Sequence, residues 1–86
     1  MSKILLVYDD FAELNATELS LKKATFDVIG LTNEYTIKDQ VVSFNPDILI
    51  GFGNTSRVSS LSVGKKIKEM TRWTGKSILI FPKGNV

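Results

Sequence analysis

Four short apolar runs, at residues 4–8, 26–31, 47–52 and 77–81, constrain this chain more than any other feature. They are rich in Ile, Val, Leu and Phe and nearly continuous rather than alternating, which is how strands covered on both faces read. The segments between them are long enough for crossover helices. The pattern therefore predicts β-α-β-α-β-α-β, with a parallel sheet and right-handed connections. With 86 residues, only one hydrophobic core can close, so residues 1–86 read as a single domain.

Helix signals fill the gaps. Asp10 with Glu13 forms an Asp-x-x-Glu start. Beyond it Leu14, Leu21 and Ala24 make one apolar stripe and Ala12, Ala16 and Leu19 a second, so the first helix is expected to bury two sides. Thr36 with Asp39 marks a second start, and Ile37, Val41 and Phe44 share a face until Asn45-Pro46 stops the helix. A third helix is expected over residues 59–73. It turns Val63, Ile67 and Met70 inward and Lys65, Lys66, Lys68 and Arg72 outward, with Gly75 as its stop.

The absence of Cys and His removes disulfides, thiolate and imidazole metal sites, cysteine nucleophiles and any triad with a histidine base. No apolar segment approaches the ~20 residues of a membrane span, and the first run stops at Asp9-Asp10, too soon for a signal-sequence core. The chain reads as cytoplasmic, with no membrane partner. Charge is uneven: residues 1–50 carry four basic and eight acidic side chains, and residues 51–86 carry seven basic ones against Glu69 alone. A solvated basic helix face accounts for this, and nothing indicates a nucleic-acid partner.

Specific residues carry a resemblance that spans the chain. Lys3-Ile4-Leu5-Leu6-Val7-Tyr8-Asp9-Asp10-Phe11 joins an apolar strand to an acidic pair. After Thr32-Asn33 and a helix comes Phe44-Asn45-Pro46-Asp47-Ile48-Leu49-Ile50, and residues 61–68 and 77–81 add a helix and a strand at regular spacing. This resembles the response-regulator receiver domain, as far as that family's fourth strand. The resemblance implies a three-layer, flavodoxin-like α/β fold whose four strands lie in the order 2-1-3-4, truncated before the last strand and helices of a receiver.

It also implies positions for a phosphate-accepting site, and these are degenerate. Counting from Pro46, the acceptor aspartate falls on Phe52, and a shift of one residue gives only Gly51 or Gly53. The hydroxyl residue ending the fourth strand falls on Phe81. The family's lysine belongs to a fifth strand, a place Lys83 does not fill. Asp9 and Asp10 remain as a residual acidic pair for Mg²⁺, although an alignment anchored on Lys3 puts Tyr8 at the first acid. Without a third anionic ligand or a phosphate, the expectation is no cofactor, and Asp10 reads better as a helix cap.

The loop at residues 51–57 follows a strand and precedes a helix at the carboxyl edge of the expected sheet, where α/β proteins bind ligands. Gly51, Gly53, Asn54, Thr55, Ser56 and Arg57 are therefore ligand-binding candidates: close backbone approach, hydroxyls, a helix N-terminus and a guanidinium suit an oxyanion. The loop matches neither Gly-x-Gly-x-x-Gly nor a Walker sequence, and a Ser/Thr-rich cap for the third helix is the competing reading.

A sheet stopping at its fourth strand has an open edge at Ile78, Leu79 and Ile80 and a bare face beside the first helix. Those residues, with Ala12, Ala16 and Leu19, are the interface candidates. The expected function is a non-phosphorylatable, receiver-like interaction module, not an enzyme, acting through a protein partner or a homodimer. Two alternatives stay open. One is a small phosphate- or nucleotide-binding domain using residues 51–57. The other is the N-terminal α/β portion of a larger, glycosyltransferase-like enzyme with a second loop at Pro82-Lys83-Gly84-Asn85.

Overall fold

The structure is a computed structural model that describes residues 2–82. Lys83, Gly84 and Asn85 lie outside the described residues. The chain runs β1 (Lys3–Tyr8), α1 (Phe11–Lys23), β2 (Asp27–Leu31), α2 (Ile37–Phe44), β3 (Ile48–Phe52), α3 (Ser60–Glu69) and β4 (Lys76–Ile80). Its four strands form one sheet in the order β2-β1-β3-β4, and every pairing is parallel. The parallel α/β alternation is the one expected from the apolar runs, and the three-layer, flavodoxin-like strand order is the one the resemblance implied.

β1 is continuous in apolar character because it is central. Leu5 and Val7 face a core shared with Ile37 and Val41 of α2 and Val63 of α3. Ile4, Leu6 and Tyr8 face the opposite layer, where Leu14 of α1 covers them. All five residues from Ile4 to Tyr8 are buried. Each such side chain contributes roughly 1.5–3 kcal/mol relative to exposure.

The other strands are less covered than their composition suggests. β3 alternates: Leu49 and Gly51 are buried on the α2–α3 side, while Ile48, Ile50 and Phe52 are only half-buried on the α1 side. β4 is mostly exposed, with Ile78 at 49% and Ile80 at 42%. The reason is geometric. α1 packs on β1 and β2, which leaves the same face of β3 half-covered and that of β4 largely exposed.

α1 correspondingly buries one side and not two. Ala12, Ala16 and Leu19 are all exposed, and at 100° per residue they lie roughly 140–160° around the helix from buried Leu14, pointing away from the sheet. α2 ends as its sequence indicates, with Asn45 in the left-handed region (φ 50°, ψ 63°) ahead of buried Pro46. Thr36 precedes α2 without capping it through its side chain, because its ψ of 12° is already near-helical.

α3 is shorter than expected, ending at Glu69. Met70 leaves helical geometry at ψ 68°, and the chain turns so that Trp73 packs on the core and its indole N–H donates to Pro46 O at 2.8 Å. Gly75 is therefore not a helix stop. A Cβ there would lie 2.3 Å from the Trp73 ring, so the glycine makes room for the indole.

Candidate functional site

Because all four strands are parallel, the residues after β1, β2 and β3 converge on one edge of the sheet. Asp9 follows β1 directly and is held in three ways by the end of β3 and the β3–α3 loop. Its N–H donates to Phe52 O at 3.1 Å, its Oδ2 accepts from Asn54 N at 3.1 Å, and its carbonyl accepts from Arg57 Nη2 at 2.7 Å. Gly53 makes this contact possible, since a Cβ there would stand 2.6 Å from Val58 O and 2.9 Å from Asp9 Cγ.

Asp10 does a different job. It is the N-cap of α1 (φ −107°, ψ 120°), and Oδ1 accepts from Ala12 N at 3.2 Å. The acidic pair thus divides between clasping a loop and capping a helix. Phe52, on which the resemblance would put the acceptor, packs edge-on against Tyr8 with ring centroids 5.4 Å apart. Among the described residues no group of three or more His, Cys, Asp or Glu side chains is placed to hold a metal. This donor set does not fit Mg²⁺, which calls for several well-placed oxygens.

Thr55, Ser56 and Arg57 line a cleft of about 460 Å³, which they share with Glu34, Lys38 and Lys66. Gly51 and Gly53 are buried and do not line it. Gly51 sits beneath α3, where a Cβ would meet Val63 at 3.1 Å and Leu79 at 3.2 Å. Asn54 is exposed and bridges to Ser59. Sequence reasoning brought out Arg57 and the hydroxyls but missed Glu34, the residue that organises the cleft.

Glu34 comes from the β2–α2 connection and reaches the start of α3. Its carboxylate accepts from Ser59 N at 2.9 Å and from Ser62 Oγ at 2.6 Å, with Lys66 Nζ at 3.6 Å. An anion of the chain itself thus occupies the place that the loop was expected to offer to a ligand. Several other donors in and beside the loop are also engaged. Thr55 N donates to Val58 O, Gly53 N donates to Ser60 Oγ, and the Ser60 hydroxyl donates to Ile80 O. Ser59 completes the cap, its Oγ accepting from Ser62 N. The geometry is that of a loop built to start α3.

On the outer rim, Lys38 of α2 donates to Glu69 of α3 at 2.7 Å, and this hydrogen bond holds the Glu69 carboxyl below its ordinary pKa. No protein-family model and no curated protein matches this chain. The receiver resemblance therefore rests on the residues quoted for it. No described helix is long and apolar enough to cross a membrane.

The β4 side is built differently. Leu79 points toward α3 and packs on the core there, while Ile78 and Ile80 point to the opposite, bare face beside Ile50. The three β4 candidates are thus split between two surfaces, and Ala12, Ala16 and Leu19 belong to neither. Phe81, at 63% exposure, and Leu61, at 61%, extend the apolar surface on the α3 side.

Proposed function

We propose that this chain is a receiver-like interaction module that does not accept phosphate and that binds protein through its β4 side, self-association being the simplest form. The observation that carries the reading is the exposure of Ile78 and Ile80 on a strand that, among the described residues, pairs only with β3. A parallel strand normally lies under helices on both faces, and an uncovered apolar edge strand is a surface that other chains pair with.

Phosphotransfer has no chemical support at the sheet's carboxyl edge. Phe52 offers no carboxylate, its neighbours are glycines, and Asp9 and Asp10 are engaged by Asn54 N–H and by the start of α1. A second reading, a small phosphate or nucleotide site, draws on the cleft at Thr55, Ser56 and Arg57 and on Tyr35, which is 91% exposed at its rim. Glu34 counts against it, because its carboxylate already takes the Ser59 N–H and Ser62 hydroxyl that an anion would use.

Light scattering over a concentration series tests the association. The wild-type chain should rise above its 9.6 kDa monomer mass, and Ile78→Ser/Ile80→Ser should remain monomeric. Incubation with acetyl phosphate and Mg²⁺ should leave the intact mass unchanged; a phosphoryl adduct on Asp9 or Asp10 would overturn the phosphate half of the reading.

A further inference from the structure

The α3 side of β4 carries a groove of about 370 Å³, distinct from the bare face at Ile78 and Ile80. Leu79 and Phe81 form its floor, Leu61 and Gly64 its wall, and Lys65 and Lys68 its rim. α3 and β4 touch closely at Gly64, where a Cβ would lie 2.9 Å from Leu79 Cδ1, so the larger apolar residues flank the contact without closing over it. Among the described residues no carboxylate lines the groove and neither rim lysine is in an ion pair.

We propose that this groove binds an amphipathic helix of a protein partner whose apolar stripe is flanked by Asp or Glu. The inference rests on the interaction reading above and names the chemistry of the partner. A sheet face walled by one helix accepts a second helix beside it at about 8–10 Å between axes. Such a helix covers Leu79 and Phe81 with residues at i, i+3, i+4 and i+7. Two unpaired lysines over an apolar floor select carboxylates at the edge of that stripe. A second copy's own basic α3 laid in this groove would set lysines against Lys65 and Lys68, so charge favours an acidic helix as the occupant here.

The test uses the full chain with labelled Ile and Leu methyl groups. The probe is a synthetic helical peptide with leucines at i, i+3, i+4 and i+7 and glutamates beside them. Controls are the scrambled peptide, a version with lysine for glutamate, and phosphatidylserine vesicles. The inference expects shifts at the Leu61, Ile67 and Leu79 methyls, affinity that falls with added salt, and about tenfold weaker binding to Lys65→Glu/Lys68→Glu. Both lysines are exposed, so this variant keeps the fold. Equal binding of the scrambled or lysine peptide, shifts confined to Ile50, Ile78 and Ile80, or binding to vesicles alone would overturn it. If the peptide fails while wild-type association and its loss in Ile78→Ser/Ile80→Ser persist, only the groove inference falls; if both fail, the interaction reading falls with it.

Discussion

Glu34 Oε1 accepts a hydrogen bond of 2.6 Å from Ser62 Oγ, joining the β2–α2 connection to the first turn of α3 across 28 residues of sequence. The same carboxylate accepts from Ser59 N, and its side chain is only 11% exposed. It combines a helix cap, a favourable interaction with the helix dipole and a partly buried charge-assisted bond.

Replacing Glu34 with alanine removes the acceptor from two partly buried donors. Urea denaturation should show a loss of about 1–3 kcal/mol. A loss within error would mean that the carboxylate is a bystander at the start of α3.

Gly53→Ala should be as damaging, for a steric reason. The added Cβ meets Val58 O at 2.6 Å and the Asp9 side chain at 2.9 Å, and neither can move without opening the clasp between β1 and the β3–α3 loop. The expected loss is about 1–3 kcal/mol, and a neutral result would show that the clasp is loose.

Neighbouring residues on β4 should behave oppositely. Leu79→Ala removes packing against Val63 and Gly51 and should lower stability by about 2 kcal/mol or more. Ile78→Ser acts on a side chain that is 49% exposed, so it should lower stability by about 1 kcal/mol or less while reducing self-association. Equal losses at the two positions would contradict the assignment of faces.

Glu69 should titrate below the ordinary range for a glutamate, because Lys38 stabilises its charged form. Since its folded pKa is lowered, the contribution is present above the unfolded value and fades as pH falls through the folded one. Carbon-detected NMR titration should show this, and Lys38→Gln should move the midpoint back up. An unmoved midpoint would mean that the bridge does not persist in solution.

The order of elements was legible because four apolar runs separated by helix-length segments leave few alternatives to a parallel sheet. Coverage was harder to read. Ile78 and Ile80 resemble core residues in composition, yet they lie on an edge strand whose α1-side face no described element covers. Composition records what a side chain prefers and not what is placed over it. Ala12, Ala16 and Leu19 misled in the same way, since small and apolar residues at helical spacing do not say which side of the helix meets a sheet.

In the cleft, Arg57 and the hydroxyls stood out as a local cluster, whereas Glu34 did not. Its partners Ser59 and Ser62 are neighbours only because parallel topology brings the end of β2 and the start of α3 to the same edge. Met70 and Trp73 continue the apolar spacing of α3, so the helix read longer than it is. The indole bond to Pro46 O, a tertiary contact, accompanies the turn.

The most direct test of the β4 side as a binding surface is the solution mass by light scattering, wild type beside Ile78→Ser/Ile80→Ser, over a concentration series. The account predicts a mass that climbs above 9.6 kDa for the wild type and stays there for the variant. A wild-type chain that is monomeric at every concentration, indistinguishable from the variant, would contradict it.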